Sequence, residues 1–193
     1  ALAPSAPATG YTVASIPLAV TTPPGPTTAG PAGDDAVSSP IPLGFTFNFY
    51  GIDYTSITIS TNGFISFDAS PGSGCCSGQL IPNAGIPNNV IAIDWADMNT
   101  SNGGNIDYYN LTSPNRFVVR FNAVATYSYT GSITSQIVIY QNGIIEIHNT
   151  DISTGHPTQT QGVENATGTT ATAVPGRNAS AWNATADAYR FSP

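Results

Sequence analysis

The amino-acid sequence predicts an all-β protein: an antiparallel β-sandwich of jelly-roll-like form, preceded by an extended, proline-rich N-terminal arm. Three observations predict this class. Apolar and polar residues alternate over many short runs, Asn-Gly pairs join two pairs of these runs, and no helical periodicity lasts longer than a turn or two. A chain of 193 residues is long enough for one such core.

The strand signals begin at residue 41. Phe45, Phe47 and Phe49 alternate with polar residues, as in a strand with one buried face. Asn62-Gly63 and Asn142-Gly143 each lie between two apolar runs, which predicts β-hairpins whose two turn residues both adopt positive φ. Further strands are expected at residues 90–94, 105–109, 116–122, 161–164 and 188–191.

The first 40 residues are rich in Pro, Ala, Thr and Gly, a composition that favours extended or polyproline-like backbone. We therefore divide the chain into an arm, residues 1–40, and a sandwich domain, residues 41–193. A proline-rich arm becomes ordered only when it packs on its own domain or on a neighbouring subunit. The second arrangement predicts a filament in which each arm extends an exposed sheet edge of the next copy.

The charge balance excludes nucleic acid as a partner. The net charge is -7, only 8% of the residues are charged and none of the four basic residues is a lysine. Nucleic-acid binding depends on basic side chains that neutralise phosphates. Membrane insertion is not expected either, because no window approaches the roughly 20 apolar residues of a spanning helix. The opening ALAPSAPATG lacks an initiator Met and a basic leader, so we expect a secreted chain whose signal peptide has been removed.

Five segments resemble, in chain order, the blocks of the nidogen-like (NIDO-type) extracellular β-domain: IPLGFTFNFYG, YTSITISTNGFISF, IAIDWADMNTSNGGNIDYY, RFVVRFNAV and SQIVIYQNGIIEIH. The tail that begins QGVENATGTT resembles the ending of related modules in large secreted surface proteins of Bacteroidetes-type bacteria. The resemblance covers residues 41–193. It implies a β-rich extracellular module of matrix and adhesion proteins, with no catalytic residues to carry over. The proline-rich arm and the loop around Cys75 and Cys76 are not part of that pattern.

Cys75 and Cys76 are adjacent in the sequence. In an oxidising compartment they form a disulfide with each other or bridge to another chain, and in a reducing compartment they stay free thiols. Adjacent Cα atoms lie about 3.8 Å apart, below the usual disulfide range of about 4.4 to 6.8 Å, so the small ring strains the peptide unit. On the surface such a ring is either a loop staple or an apolar platform for a sugar or a peptide.

Oxygen-bearing side chains cluster in IDWADMNTSNGGNID, namely those of Asp94, Asp97, Asn99, Asn102 and Asp107. Oxygen ligands in a glycine-containing loop suit calcium. The helix-loop-helix calcium pattern fails, because counting from Asp97 puts Asn102 at the glycine position and Tyr108 at the glutamate position. Asn, Asp and Gly also build ordinary turns. Calcium, the only cofactor that the sequence brings into question, therefore competes with a plain loop.

No catalytic residues are predicted. His148 and His156 are the only side chains that serve as bases near neutral pH. Glu146 and His148 alternate with Ile145 and Ile147, which is the pattern of any half-exposed strand. No nucleophile-elbow, zinc-protease or phosphate-loop motif is present.

We therefore expect a secreted, non-catalytic structural or adhesive module of a cell-surface protein, a matrix or an extracellular fibre. Its expected partners are other copies of itself or surface and matrix proteins. The alternative is a lectin-like module that binds glycans through Cys75, Cys76 and Trp95. Lone tryptophans such as Trp95 and Trp182 more often pack in a core or at its rim.

Overall fold

The structure of the chain is a computed structural model that describes residues 9–193, so residues 1–8 of the predicted arm lie outside the described part. The described residues form two antiparallel sheets and contain no helix, which confirms the prediction of an all-β sandwich. In chain order, the strands are β1 (Thr12–Ile16), β2 (Thr28–Ala29), β3 (Ile41–Phe49), β4 (Ile52–Ser60), β5 (Phe64–Ser66), β6 (Val90–Trp95), β7 (Asn105–Thr112), β8 (Asn115–Ala125), β9 (Ser132–Tyr140), β10 (Ile145–Ile152), β11 (Thr160–Glu164), β12 (Ala171–Ala173) and β13 (Ala184–Ser192).

The first sheet has seven strands in the order β1-β13-β10-β9-β8-β7-β2, and the second has six in the order β12-β11-β6-β5-β4-β3. The facing sides of the two sheets share one apolar core. Phe47 and Ile91 of the second sheet, with Phe117, Ile137 and Phe191 of the first, are fully buried there. Each such side chain contributes about 1.5 to 3 kcal/mol on burial, so this core holds the two sheets together.

Both predicted hairpins form, β4–β5 at Asn62-Gly63 and β9–β10 at Asn142-Gly143. The predicted turn geometry is wrong in one respect. Positive φ occurs at the glycines, 79° at Gly63 and 93° at Gly143, but not at the asparagines. The loops span residues 61–63 and 141–144 and are therefore longer than two-residue turns, and in such loops a single left-handed glycine is enough.

Strand β3 departs from the simple alternation of its phenylalanines. Phe47 and Phe49 are buried, whereas Phe45 is only partly buried. The pairing of β3 with β4 shifts register between Pro42 and Phe47, and Gly44 within this stretch has a φ of 81°. A bulge of this kind re-aims the side chains beside it, so Phe45 lies at the rim of the core instead of inside it.

Residues 9–40 pack on the chain's own domain. Strand β1 pairs with β13 at one edge of the seven-stranded sheet, and β2 pairs with β7 at the opposite edge. Residues 17–27, which we call the strap, therefore cross the outer face of this sheet. The six strand spacings from β1 to β2 amount to about 29 Å, whereas the chain from Ile16 to Thr28 reaches about 37 Å in polyproline-like backbone. The strap thus crosses the sheet without being stretched.

Beyond β2 the chain passes to the second sheet through residues 30–36, which we call the connector. The Gly30 amide donates to the Ile106 carbonyl at 2.8 Å, and a β-bridge joins Asp34 to Asn99. The Ala36 carbonyl accepts the Thr61 amide hydrogen at 2.9 Å, which brings the connector beside the β4–β5 turn.

Among the residues that the structure describes, no helical segment has the length and apolarity that a membrane crossing requires.

Candidate functional site

Two regions bring chemically active side chains together, and the first is a row of polar residues under the strap. His148, Gln136, Arg120 and Asp107 are paired in register across β10, β9, β8 and β7. The row continues to Ala188, which pairs with the last residue of β1, and to Ala29 of β2. We call these four polar residues the strap row, because the strap follows them from one sheet edge to the other.

The strap is held to this row mainly through its backbone. The Ala19 amide donates to Nδ1 of His148 at 3.3 Å. Gln136 Oε1 accepts the Thr21 amide hydrogen at 2.9 Å, and Gln136 Nε2 donates to the Thr21 carbonyl at 2.8 Å. The Tyr109 hydroxyl also donates to this carbonyl, at 2.8 Å. Backbone contacts of this kind recognise an extended chain with little regard to its side chains.

Glu146 and His148, the acid and base pair that the sequence analysis set aside, form part of the hydrogen-bond network at the strap row. Nδ1 of His148 accepts the Ala19 amide hydrogen, and its Nε2 lies 3.1 Å from Oε2 of Glu146. Glu146 also receives two hydrogen bonds from Arg190, at 2.8 and 2.6 Å, and one from Tyr140 at 3.0 Å. Burial raises the pKa of Glu146, but the hydrogen bonds from His148, Arg190 and Tyr140 outweigh it and lower the pKa to about 2.

The expectation of a half-exposed strand is wrong for β10. Glu146 is 6% exposed and His148 is 2% exposed, so both faces of this strand are buried. The strap covers His148, whose Nδ1 accepts the Ala19 amide hydrogen, whereas Tyr140 and Arg190 contact Glu146. Sequence periodicity shows neither contact. His156 is buried as well: its Nδ1 accepts the Thr158 amide hydrogen at 3.1 Å, and its ring lies edge-on to Tyr129.

The second region is a cluster of acidic residues and cysteines where the connector meets the loop before β6 and the end of β6. Carboxylate oxygens of Asp34, Asp35 and Asp97 lie within 4.8 Å of one another, and so do the ligand atoms of Asp35, Cys75 and Cys76. We call these five residues the corner cluster. The structure joins Cys75 to Cys76 in a disulfide, and both cysteines are exposed. Burial, followed by the charges of Asp35 and Asp34, raises the pKa of Asp97.

Asn62, the asparagine of the β4–β5 turn, is a buried side chain whose hydrogen bonds connect the segments that form the corner cluster. Its Nδ2 donates to Oδ1 of Asp35 at 2.7 Å and to the Ser73 carbonyl at 3.1 Å, and its Oδ1 accepts the Met98 amide hydrogen at 2.8 Å. The Trp95 indole donates to the Gly74 carbonyl at 2.8 Å. Two buried side chains therefore fix the backbone on the N-terminal side of the cysteines.

The five predicted calcium ligands lie in different environments. Only Asp97 belongs to the corner cluster. Asp107 lies in the strap row, where Arg120 contacts both of its oxygens at 2.7 and 2.5 Å; although burial raises its pKa, hydrogen bonds from Arg120 and Thr27 lower it below the usual value. Asn99 accepts the Ser101 amide hydrogen, and Asn102 donates to two carbonyl oxygens in the loop after β8.

Asp94 is wholly buried. Neither of its carboxylate oxygens has a hydrogen-bond partner among the described residues. Burial raises its pKa to about 8, against a smaller lowering by the charge of Arg177. Sequence reasoning missed Asp34 and Asp35 as cluster members because they precede Asp97 by about 60 residues in a segment interpreted as an arm.

The two tryptophans lie away from open solvent. Trp95 is fully buried, with its ring 5.3 Å from that of Phe64, so it presents no surface to a sugar. Trp182 is partly buried, and the guanidinium of Arg177 lies 4.4 Å from the centre of its ring. Of the predicted glycan-binding residues, Cys75 and Cys76 alone are exposed.

One protein family matches nearly the whole described chain. The family described as NIDO related matches residues 10–193. The chain belongs to this nidogen-related family. The match begins in the arm, whereas the sequence analysis expected the nidogen-like pattern to begin at residue 41. No curated protein and no solved structure matches the chain.

The nidogen-related domain of this chain thus includes β1, the strap and the connector. Within it, the strap row carries a backbone-binding surface and the corner cluster carries an exposed disulfide beside three carboxylates. The first arrangement suits recognition of an extended peptide. The second suits capture of a positively charged ligand or a change of redox state.

Proposed function

We propose that this nidogen-related chain is a non-catalytic structural or adhesive module that acts outside the cell, as part of a surface protein, a matrix or a fibre. Membership of the nidogen-related family supports an extracellular module. The observation that carries the proposal is the strap, a segment of the chain itself that lies over His148, where the Ala19 amide donates to Nδ1. This histidine is therefore engaged by the backbone of the chain itself and by Glu146, which favours a structural role.

We further propose that copies of the chain join by exchanging β1, the strap and β2. The contacts that β1 and the strap make within one chain form equally well when the arm of one copy lies on the sheet of the next. The anchor of the arm is Tyr11, which is 7% exposed and whose ring centre lies 5.5 Å from that of Phe49. The middle of the strap, by contrast, keeps Val20 45% exposed. One aromatic anchor and a set of backbone hydrogen bonds make the arm separable from its own domain.

The connector supplies a reason for exchange. Asp35 has a left-handed φ of 50°, which costs a residue other than glycine about 1 kcal/mol or more. Three carboxylates, those of Asp34, Asp35 and Asp97, also crowd together at this point. A short hinge under strain favours the open, exchanged arrangement, because exchange lets the hinge straighten.

A cysteine pair across β1 and β13 tests the exchange. Thr12 and Ser192 are register partners, so the double substitution Thr12→Cys/Ser192→Cys places two thiols within disulfide range of about 4.4 to 6.8 Å. The control is Thr112→Cys/Asn115→Cys, which bridges the β7–β8 hairpin of one chain. We expect non-reducing gels to show a ladder of cross-linked oligomers for the first pair and monomer for the control. Monomer for both pairs at high protein concentration would refute exchange.

Assembly and exchange are separable outcomes. Light scattering and electron microscopy of the unsubstituted chain report whether copies associate at all. Associated chains whose Thr12→Cys/Ser192→Cys bond forms within one copy would keep the structural function and exclude the arm as its means. A chain that stays monomeric and binds no surface or matrix protein would overturn the structural function itself.

The alternative is a carbohydrate-binding module, and one observation favours it. The loop between β5 and β6 exposes Leu80 by 59% and Ile86 by 74%, together with the Cys75–Cys76 disulfide. Exposed apolar groups of this kind can pack on a sugar face. Binding on a broad glycan array that is lost on Cys75→Ala would favour this function, and silence on that array would count against it.

A further inference from the structure

The corner cluster contains two sulfur atoms that cannot bind a metal ion while they are bonded to each other in the disulfide. Cys75, Cys76 and Asp35 offer two sulfurs and a carboxylate oxygen within 4.8 Å of one another. In a tetrahedral zinc-type site with metal–sulfur bonds of about 2.3 Å, two sulfurs lie about 3.8 Å apart, which is within that spacing. We propose that reduction of the Cys75–Cys76 disulfide turns the corner cluster into a binding site for one thiophilic divalent cation of the zinc and cadmium type.

The scaffold around the cysteines supports this inference because it does not depend on the disulfide. Nδ2 of Asn62 donates both to Asp35 and to the Ser73 carbonyl, so it ties the carboxylate to the cysteine loop. The Ser60 hydroxyl donates to the same Ser73 carbonyl at 2.7 Å. Hydrogen bonds between Ala36 and Thr61 fix the residue that follows Asp35. These contacts hold the Ser73 end of the cysteine loop beside Asp35, and none of them involves the disulfide.

The charge at the corner favours a cation. Asp34 and Asp97 add two carboxylates next to Asp35, and these like charges repel one another until a cation enters. Both cysteines and both connector aspartates are exposed, so a reductant and a metal ion reach them from solvent. Two thiolates and one carboxylate would supply three ligands of a four-coordinate site, and a solvent molecule would occupy the fourth position.

The chemistry balances as a two-electron exchange followed by metal capture. A dithiol reductant gives two electrons and two protons to the disulfide; the sulfur–sulfur bond breaks, and the reductant becomes a cyclic disulfide. The cation then displaces the two thiol protons and forms two metal–sulfur bonds. In the absence of metal, a cyclic disulfide of the same reagent takes back two electrons and two protons from the thiols and restores the Cys75–Cys76 bond.

The test uses the full chain, reduced with a dithiol and freed of it under anaerobic conditions, and Cd²⁺ alone as the probe. We expect calorimetry to give one Cd²⁺ per reduced chain, ultraviolet absorption to gain a thiolate-to-cadmium charge-transfer band, and the oxidised chain to show neither. Cys75→Ser should abolish the band. Groups outside the coordination shell already contribute about 10- to 100-fold to metal affinity, so loss of a direct ligand in Asp35→Asn should weaken binding at least about tenfold.

Asp53→Asn, an exposed aspartate on β4 outside the corner cluster, is the matched control and should leave the affinity unchanged. Four results would overturn the proposal: equal binding by the oxidised chain, unchanged affinity in Asp35→Asn, one Cd²⁺ shared by two chains, or loss of the circular dichroism of the sandwich on reduction. Exchange would straighten the connector that carries Asp35, so all measurements are made on the monomer isolated by gel filtration, which separates this test from that of assembly.

Discussion

Gln136 binds both polar backbone atoms of Thr21: its Oε1 accepts the amide hydrogen at 2.9 Å and its Nε2 donates to the carbonyl at 2.8 Å. The pairing resembles a short piece of β-ladder in which a side-chain amide replaces the neighbouring strand. It lies near the middle of the strap, where the side chain of Val20 stays 45% exposed. Hydrogen bonds, more than apolar burial, therefore keep the strap on the sheet at this point.

Replacing Gln136 by alanine should loosen the strap selectively. Two hydrogen bonds of about 1 kcal/mol each are lost, so we expect the free energy of unfolding to fall by about 1 to 3 kcal/mol. Hydrogen exchange of the Thr21 amide should accelerate, whereas the core amides of β9 should change little. Gln141→Ala, which removes a contact to Asn115 far from the strap, is the control. Equal protection of the Thr21 amide in both variants would show that the two hydrogen bonds from Gln136 do not hold the strap.

Gly63 should be intolerant of any side chain. It has a φ of 79°, and a Cβ atom at this position would lie 1.9 Å from the Asp94 carbonyl oxygen. Gly72 is the control, since its φ of 83° is similar but a Cβ there meets nothing within 4 Å. We expect Gly72→Ala to cost about 1 kcal/mol for its backbone conformation alone. Gly63→Ala should cost more than about 3 kcal/mol in urea unfolding, because backbone must move. Similar midpoints for the two variants would contradict this account.

The Asp94→Asn variant should become more stable than the parent chain as the pH rises. The folded-state pKa of Asp94, about 8, lies above the ordinary value of 3.8, so the folded chain holds a proton that the unfolded chain releases between these values. Stability from this group is complete below pH 3.8 and is lost as the pH rises towards 8. The two proteins should therefore have similar melting temperatures near pH 4. The variant should melt about 5 °C or more above the parent at pH 8, and a constant difference across this range would contradict the assignment.

Glu146→Gln should have the opposite dependence on pH. The folded-state pKa of Glu146 is about 2, below its ordinary value of 4.5, so its contribution is present above pH 4.5 and is lost as the pH falls towards 2. We expect the variant to be about 2 kcal/mol less stable at pH 7, the scale of a hydrogen bond to a charged group. The deficit should disappear near pH 2 in thermal melts.

Glu164→Gln provides a contrast within the same residue type. Burial raises the pKa of Glu164 to about 7, in spite of a hydrogen bond from the Asn83 amide that lowers it. Its glutamine variant should gain stability relative to the parent between pH 4.5 and 7. If both glutamine variants shifted in the same direction over this range, the environments of the two carboxyl groups would have been assigned incorrectly.

Local pattern was enough to predict most of the sandwich. The Ile-rich runs around Asn142-Gly143 and the short run at residues 90–94 became β9, β10 and β6, because burial of one or both faces leaves a mark on every second residue. Strand β1 left no such mark. Thr12 to Ile16 lie at a sheet edge with most side chains exposed. They pair with β13 through backbone hydrogen bonds, which any residue can form and which therefore leave no pattern in the sequence.

The two candidate sites depend on long-range contacts, which explains why sequence analysis recovered only parts of them. Cys75 and Cys76 stand out because they are adjacent in the sequence. Asp35, which lies beside them in the structure, comes 40 residues before Cys75. His148 and Glu146 looked like an exposed pair because nothing in β10 itself reveals that the strap covers His148 or that Tyr140 and Arg190 contact Glu146. Spacing along one segment cannot report which distant segment packs on it.

The antiparallel pairing of β1 with β13 puts Thr12 opposite Ser192, so the first residue of β1 and the last residue of β13 lie at the same end of the sandwich. Tension applied at these two points pulls across the pair instead of along it, and its hydrogen bonds break one after another. Peeling of residues 12–29 would lengthen the chain by about 60 Å at roughly 3.4 Å per residue while the two facing sheets remain packed. Under load, the module would yield early at one end and absorb extension before its core is at risk.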